Sequence, residues 1–292
     1  MKILITGSNG QLGSEIRDLT TYYDNTVFIF KDLPDLDICN FNELENFIIN
    51  NNITAVINCA AYTSVDKAEE NVEVARQTNS GGVLNVVNAL KKVNGKLIHI
   101  STDYVFDGMR SKAYNESDTV NPIGVYGETK RDGEIFVINS SIDAIVIRTS
   151  WLYSHYGNNF VKKIFNLGSR KKKLRVVLDQ IGAPTNAKDL AKTCLDILCT
   201  KNSTDISKNG RLYHYSNEGV TSWFDFAIEI IKVGKVNCKV FPILSKDYVT
   251  KVKRPHYSVL DIRKIKKDFN IEIPFWKDSL KDCILKIKKN KN

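Results

Sequence analysis

Lys2-Ile-Leu-Ile-Thr6, followed at once by Gly7-Ser-Asn-Gly10-Gln-Leu-Gly13, is the stretch that decides the fold. It is a short apolar run of strand type, then glycines, then a helical pattern. That order is typical of a nucleotide-binding unit: Gly7 permits the turn, Gly10 lets the backbone approach a pyrophosphate, and Gly13 lets the helix pack on the strand. The G-x-x-G-x-x-G spacing has one more residue in its first gap than the common form.

The second predicted strand, Thr26 to Lys31, bears on the choice of nucleotide. It ends at Asp32, which lies 19 residues beyond Gly13, where an acid would hydrogen-bond the adenosine ribose. Lys31 would instead suit a 2′-phosphate, so the choice between NADH and NADPH stays open. Asp37, in the bend that follows, is either a contact on the adenine side or a turn residue.

Alternating strands and helices continue to Trp151 and predict an α/β fold, a Rossmann-type doubly wound parallel sheet with a smaller C-terminal α/β substrate lobe. The NAD(P)-binding domain is predicted over residues 1–151, completed by parts of 174–215, and residues 152–292 mainly form the lobe. Ligands lie off the carboxyl ends of parallel strands. We therefore expect Ala60-Ala61-Tyr62-Thr63 and Ser101-Thr102-Asp103 at the ligand edge, where a hydroxyl either bonds a substrate carbonyl or caps the next turn.

Tyr126 and Lys130, four residues apart in Tyr-Gly-Glu-Thr-Lys, form a candidate acid/base pair. On a helix this spacing puts both side chains on one face, with the ammonium near the phenol. A nearby cation lowers the pKa of a tyrosine towards the range where a proton is passed at neutral pH. Without further context the same spacing is more typical of a solvated helix face.

Charge and composition bound the other possibilities. The chain has 292 residues and a net charge of +9, and 13 basic against 5 acidic residues lie between Lys251 and Asn292. Such a segment suits an anionic ligand, but the wet faces of amphipathic helices explain it better. No long apolar run or leader occurs, and the cysteines and histidines lack metal-ligand spacing. We expect a cytoplasmic protein with reduced thiols and with no metal, membrane or nucleic-acid partner.

Together these motifs resemble the extended short-chain dehydrogenase/reductase family over nearly the whole chain. The glycine turn and Tyr-x-x-x-Lys are shared with many of its members. More specific stretches are similar to the reductases that act on deoxysugar nucleotides. The stretches that carry the resemblance are Gly7 to Gly13, Asn58 to Thr63, Val65 to Glu69, Ser101-Thr-Asp-Tyr-Val-Phe-Asp-Gly108, Tyr126 to Lys130, Arg148-Thr-Ser-Trp151, Asp179 to Thr185, and Arg254-Pro255 with Ser258 and Leu260.

The resemblance implies that NADPH or NADH reduces the C4 keto group of a deoxysugar nucleotide used for surface polysaccharide. It implies a catalytic triad of Thr102, Tyr126 and Lys130, and substrate contacts from Thr102, Asp103, Trp151 and Arg254. The implied cofactor site comprises Gly7, Gly10, Gln11, Leu12, Gly13, Asp32, Asp37, Ile38, Ala61, Tyr62, Thr63, Asn79, Ile100, Tyr126 and Lys130. One departure lies in the helix predicted from about Val65 to Val93, where Ser80-Gly81-Gly82 is more glycine-rich than expected.

Three alternatives to a reductase are weighed here. A nucleotide-sugar dehydratase or epimerase shares the fold, but a dehydratase is expected to carry Glu at the position of Tyr104. A non-catalytic, cofactor-binding regulatory subunit would not require Thr102, Tyr126 and Lys130. Nucleic-acid binding by the basic C-terminus lacks any recognisable motif. Arg254 is either a diphosphate contact or part of a surface ion pair, and self-association as a homodimer is left open.

Overall fold

The computed structural model describes residues 1–199, 205–207, 211–248 and 250–290. The strands are β1 (Lys2–Thr6), β2 (Val27–Lys31), β3 (Ala55–Asn58), β4 (Lys96–Thr102), β5 (Asp143–Thr149), β6 (Leu152–Tyr153), β7 (Lys173–Val177), β8 (Ile181–Gly182), β9 (Thr185–Asn186), β10 (Leu212–Tyr215), β11 (Thr221–Ser222) and β12 (Lys239–Ile243). The helices are α1 (Gln11–Leu19), α2 (Phe41–Asn50), α3 (Val65–Ala68), α4 (Val72–Arg76), α5 (Gly82–Val93), α6 (Val125–Ile138), α7 (Phe160–Gly168), α8 (Ala187–Cys199), α9 (Trp223–Gly234), α10 (Arg263–Phe269) and α11 (Trp276–Lys289).

The main sheet has six parallel strands in the order β2-β1-β3-β4-β5-β10. From β1 the chain goes to β2 on one side and then to β3 on the other, so the strand order reverses between β1 and β3. In open α/β sheets this reversal opens a crevice at the carboxyl ends of the strands. The predicted doubly wound parallel sheet is confirmed, and the crevice lies at the glycine turn.

Apolar side chains cover both faces of this sheet because its strands are buried on both sides. On one face Ile3, Ile57 and Ile145 pack with residues of α1 and α8. On the other face Leu4 and Val56 pack with residues of α2 and α5. The alternation of inward positions along each strand thus accounts for the near-continuous apolar runs in the sequence.

A smaller lobe forms from the chain beyond β5. There β7 pairs in parallel with β12, and a third apolar core joins α7, α9 and α11. Within residues 174–215, β7 lies in this lobe, whereas α8 packs on the main sheet and β10 completes its edge.

The predicted single helix from Val65 to Val93 is wrong. The chain leaves the helix after α3, and a π-helical turn, Gln77–Gly81, joins α4 to α5. That turn buries Asn79, whose amide bonds the backbone of Tyr62 on both its N–H and its C=O. Of the two unexpected glycines, Gly82 has a packing reason, because a Cβ on it would lie 2.7 Å from the Ile38 side chain, whereas a Cβ on Gly81 would meet nothing within 4 Å.

The basic C-terminal helices behave as amphipathic elements. One face of α11 buries Leu280, Cys283 and Ile284, and its lysines lie on the opposite side. Lys266 pairs with Glu218, and Lys277 lies 3.6 Å from Glu229, so part of the positive charge is neutralised locally. Within the described residues no helix is long and apolar enough to cross a membrane, no group of side chains suits a metal ion, and the cysteines are unpaired.

A buried ion pair ties α6 to the main sheet. Arg148 on β5 donates to both oxygens of Glu134 on α6, at 2.7 and 2.6 Å. The Ser101 hydroxyl on β4 donates to the same carboxylate at 2.6 Å, and Arg131 donates to it at 3.0 Å. The two main partners are only 1% and 0% exposed, so removal of either would leave a charge buried without its counterpart.

We expect Arg148→Met to lower the free energy of unfolding by about 3–5 kcal/mol, the usual cost of stranding one half of a buried pair. Urea unfolding of the purified variant measures this. The matched control is Arg76→Met, which breaks the exposed pair between Arg76 on α4 and Asp132 on α6, 3.0 Å apart. That control should lose about 1 kcal/mol or less. Equal losses in the two variants would contradict a special role for the buried pair.

Candidate active site

A cleft of about 620 Å³ opens at the carboxyl ends of β1 to β5. Its wall is formed by the glycine turn, the ends of the strands, the first turns of α6 and the start of the lobe. Most of the side chains predicted to act together therefore share one cavity. The predicted residues that line it are Gly7, Gly10, Gln11, Leu12, Asp32, Asp37, Ile38, Ala61, Thr63, Ile100, Thr102, Asp103, Tyr126, Lys130 and Trp151.

Four predicted site residues lie outside this lining: Gly13, Tyr62, Asn79 and Arg254. Gly13 sits beneath the turn, where a Cβ would meet the backbone of Ser8 at 2.5 Å, so this glycine lets α1 pack against the turn. Asn79 is buried behind Tyr62 and holds its backbone, with a further bond to Thr129. Arg254 is engaged in an ion pair with Asp66 at 3.0 Å, which is the alternative that the sequence left open.

The glycine turn leaves a cradle for an anion. Gly7 has φ +61°, and a Cβ there would lie 2.6 Å from the backbone nitrogen of Ala60 across the crevice. Gly10 begins α1 without a side-chain cap, and no acidic residue lies in the first turn. The free N–H groups and the positive end of the helix dipole face the cleft, which fits the pyrophosphate of a dinucleotide.

Asp32 at the end of β2 is held by the backbone. Its two carboxylate oxygens accept from the N–H groups of Asn9 and Leu33, both at 2.8 Å. Lys31 lies 3.8 Å from Asp35. The carboxylate thus occupies the position at the cleft edge that suits a ribose hydroxyl, while the neighbouring cation is directed elsewhere.

Thr102, Asp103 and Tyr126 form a tight polar cluster at the end of β4. The Thr102 hydroxyl accepts from the Tyr104 N–H at 3.2 Å and donates to Asp103 at 3.1 Å, so it also caps the next turn. Burial raises the pKa of Asp103 to about 6, against the lowering by hydrogen bonds from Ser258 and Thr102. Its second oxygen is buried and has no hydrogen-bond partner among the described residues.

Tyr126 and Lys130 share a face of α6, but the phenol is not tuned as the spacing predicts. Burial raises the pKa of Tyr126, and a hydrogen bond with Thr102 offsets this only in part. Lys130 is 2% exposed and its ammonium donates to the Ile100 carbonyl at 2.6 Å. The predicted lowering of the tyrosine pKa by Lys130 is therefore wrong for this structure, because the lysine is directed to the strand. Burial also lowers the pKa of Lys130, to about 8.

Trp151 lies in the cleft wall and also packs against the lobe. It lines the cleft, and its ring stacks on Trp223 of α9 with centroids 3.6 Å apart. The backbone of Trp151 has φ +48°. Gly182 leaves room for the indole, since a Cβ on Gly182 would lie 2.6 Å from the Trp151 ring. The indole is thus a rigid wall that joins the first sheet to the lobe.

Two contributors were not foreseen from the sequence. Asn159 donates to the Gln11 side chain at 2.8 Å and so fixes the lobe over the start of α1. Its only sequence signal is its position as the N-cap of α7. Glu69 accepts from the Val125 N–H at 2.8 Å and caps α6 in place of Gly124. No local pattern could reveal a cap that comes from 56 residues away.

Comparisons with known proteins agree with this geometry. Residues 1–289 match the family model described as the RmlD substrate binding domain. A dTDP-4-dehydrorhamnose reductase of Aggregatibacter actinomycetemcomitans is 39% identical over 96% of this chain and 97% of its own. The crystal structure of a dTDP-4-dehydrorhamnose reductase from Clostridium acetobutylicum has a TM-score of 0.92 at 40% identity, covering 99% of this chain and 100% of that one. The crystal structure of a dTDP-4-dehydrorhamnose reductase from Bacillus anthracis in complex with NADP has a TM-score of 0.91 at 34% identity, covering 98% of this chain and 99% of that one.

The raised pKa of Asp103 makes a prediction about stability. A raised pKa in the fold stabilises the protein at pH values below the ordinary carboxyl pKa, and this contribution is lost as the pH rises through about 6. We therefore expect Asp103→Asn to gain stability relative to the unaltered protein between about pH 4 and pH 8, by up to about 3 kcal/mol. Urea unfolding at both pH values measures the difference.

The control is Asp107→Asn, because a hydrogen bond from the Met109 N–H lowers the pKa of that carboxyl. Because that carboxyl is already ionised in both the folded and the unfolded state above its ordinary pKa, the relative stability of Asp107→Asn should stay nearly constant between about pH 4 and pH 8. A relative stability of Asp103→Asn that stays constant with pH would show that Asp103 is not kept protonated by its surroundings.

Proposed function

The chain belongs to the family described as the RmlD substrate binding domain, and from that premise we propose that it reduces the C4 keto group of dTDP-4-dehydrorhamnose to give dTDP-L-rhamnose. The relatives reported above carry the name of that reductase. The motifs of the sequence resemble the same member of the extended short-chain dehydrogenase/reductase family, and this resemblance is confirmed at the level of the family. NADPH or NADH is the reductant of such an enzyme.

One observation carries the proposal. Thr102, Tyr126 and Lys130 line the same cleft as the uncapped start of α1 and the indole of Trp151. A dinucleotide on the glycine turn and a sugar against the indole would therefore meet at the hydroxyl groups of Thr102 and Tyr126. Holding two reactants together in this way supplies much of the rate enhancement in a hydride transfer.

Tyr126 is the proposed proton donor. Because burial raises the pKa of its phenol, the group stays protonated at neutral pH, as a donor must at the start of a reduction. Its proton would go to the carbonyl oxygen, and the Thr102 hydroxyl would turn its hydrogen from Asp103 to that oxygen. The nicotinamide supplies the hydride that adds to the carbonyl carbon.

Lys130 is proposed to hold the nicotinamide ribose. Its amine lies in the cleft lining and is anchored by the Ile100 carbonyl, which fixes where its remaining hydrogens point. The family also assigns it a role in lowering the tyrosine pKa. The charge of a bound cofactor and substrate would have to redirect the amine before it could exert that effect on Tyr126.

Arg254 is proposed to bind the substrate diphosphate. In this structure it donates to Asp66, and its Nε is buried without a hydrogen-bond partner among the described residues. A guanidinium with an unused donor suits a second, bidentate partner such as a phosphate. Binding would then exchange the Asp66 carboxylate for the more highly charged diphosphate.

The residues of this site support the alternative functions, a dehydratase and a regulatory subunit, less well than a reductase. A dehydratase needs a second acid after Asp103, and the ring of Tyr104 lies there, edge-on to Tyr126 at 5.6 Å. A regulatory subunit would not require Thr102, Tyr126 and Lys130 to line one cleft. The proposed partner is the nucleotide sugar, without a role for nucleic acid, and dimerisation stays a prediction.

We expect Tyr126→Phe to lower turnover by about 10²–10⁴-fold, the usual contribution of a positioned proton donor. The binding of the reduced cofactor should be unchanged, because the ring keeps its place. Turnover is measured as loss of NADPH or NADH absorbance with dTDP-4-dehydrorhamnose made in place by the upstream enzymes. Cofactor affinity is measured by fluorescence titration.

Tyr22→Phe serves as the matched control, since that side chain is 78% exposed and should leave both quantities unchanged. Undiminished turnover in Tyr126→Phe would remove Tyr126 as the donor. If the unaltered protein binds the cofactor but consumes none with this substrate, the activity belongs to another keto-sugar nucleotide or the chain is a non-catalytic subunit.

The choice of nicotinamide cofactor is proposed to depend on Asp32. Its carboxylate repels a 2′-phosphate and occupies the N–H groups of Asn9 and Leu33. We expect Asp32→Ala to free both donors and to raise the ratio of kcat/KM for NADPH over NADH by about tenfold or more, a difference of about 1.4 kcal/mol. Asp24→Ala, an exposed carboxylate outside the cleft lining, is the control, and a ratio unchanged in both variants would exclude Asp32 as the determinant.

A further inference from the structure

A row of polar side chains crosses the sheet behind the site. Thr6 on β1, Asn58 on β3 and His99 on β4 are neighbours in register and are at most 2% exposed. The Thr6 hydroxyl donates to Asn58 at 2.6 Å, and the Asn58 amide nitrogen lies 3.2 Å from Nδ1 of His99. The other ring nitrogen, Nε2, lies 3.4 Å from Nζ of Lys130. The row therefore ends on a proposed catalytic side chain.

The direction of the hydrogen bonds follows from the backbone. Oδ1 of Asn58 accepts from the N–H of Ala60 at 3.3 Å as well as from Thr6. Turning the amide over would set its NH₂ group against that backbone N–H, two donors face to face. The amide nitrogen of Asn58 accordingly donates to Nδ1 of His99.

This direction selects a tautomer of the histidine. A neutral imidazole has one acceptor and one donor nitrogen, so an accepting Nδ1 places the hydrogen on Nε2. Burial lowers the pKa of His99, with a further contribution from Lys130, and keeps the ring neutral. The Nε2–H then points at Nζ of Lys130. Such a contact repels an ammonium but is a hydrogen bond to a neutral amine.

We propose that His99 is a positioning residue: Thr6 and Asn58 hold it as the Nε2–H tautomer, and its N–H disposes Lys130 to give up a proton. The tautomer is a property of the chain itself. Only the kinetic consequence rests on the proposed function.

Other groups around Lys130 act in the opposite sense or are neutral. Glu134, one turn further along α6, and Cys59, at the end of β3, both favour the ammonium. Glu134 already accepts from Arg148 and Arg131, and burial raises the pKa of Cys59 so that its thiol stays protonated. Tyr126, one turn earlier, is neutral for the same reason. His99 is thus the neighbour whose hydrogen-bond polarity works against the charge on Lys130.

Nitrogen NMR of the intact protein tests the tautomer directly. The chain has only four histidines, and ¹⁵N labelling with long-range correlation spectra distinguishes protonated from bare ring nitrogens. We expect His99 at neutral pH to show a bare Nδ1 and a protonated Nε2. Its signals are identified by their loss in His99→Gln or by elimination with variants of His155, His214 and His256. A protonated Nδ1 would overturn the proposal.

Asn58→Asp reverses the polarity of the row at nearly constant shape. The carboxylate accepts from Thr6, from Ala60 and from His99, so the histidine hydrogen moves to Nδ1 and Nε2 accepts from Lys130. We expect the NMR pattern to switch accordingly, and the alkaline fall of kcat/KM to move to higher pH by about one unit, a tenfold change in an ionisation constant.

Asn46→Asp is the matched control because it makes the same change of charge on an exposed position of α2, and it should move neither quantity. A profile of Asn58→Asp that stays in place or moves to lower pH would overturn the proposal. If the unaltered protein shows no turnover, the proposed function fails, while the NMR pattern still decides the tautomer.

Discussion

The salt bridge between Glu134 and Arg148 is the constraint on which the geometry of the site depends. It joins the middle of α6 to β5, and Ser101 brings β4 into the same network. The proposed catalytic residues sit on either side of it, Thr102 next to Ser101 and Lys130 one helical turn before Glu134. A buried pair of this kind adds little to stability compared with apolar packing, but its directional bonds fix the register of the helix on the strands. Precision in the placement of Tyr126 follows from that register.

A second constraint acts at the start of the fold. Gly7 and Ala60 approach each other so closely across the crevice between β1 and β3 that a Cβ on the glycine would overlap the backbone. The same closeness brings the N-terminus of α1 to the ends of the strands, where the cleft opens. The fold and the position of the ligand edge therefore have one cause, the glycine turn. The structure of the NADP-bound relative, at 34% identity, shows that this architecture is used for a dinucleotide elsewhere in the family.

Much of the fold was predictable because its signals are local. The two strands predicted at the start of the chain, Lys2 to Thr6 and Thr26 to Lys31, agree with β1 and β2 within one residue. The exceptions have long-range causes. The helix predicted through Val65 to Val93 breaks where Glu69 turns to cap α6, and the π-helical turn buries Asn79 behind Tyr62. Spacing placed Tyr126 and Lys130 on one face correctly. It could not show that Lys130 would be drawn to the Ile100 carbonyl, because that depends on how deeply the helix sinks against β4.

Burial, more than the pairing of charges, sets the chemistry of the cleft. It raises the pKa values of Tyr126 and Asp103 and lowers that of Lys130, and all three shifts favour the neutral form. A protonated phenol suits reduction, in which the tyrosine gives its proton away, better than oxidation, in which it must begin as a base. The charges of the reaction then arrive with the dinucleotide and the nucleotide sugar rather than residing in the protein. A site that resists charge until its ligands bind keeps the phenol of Tyr126 protonated and ready to donate, and the polar row of Thr6, Asn58 and His99 extends this resistance to charge as far as the amine of Lys130.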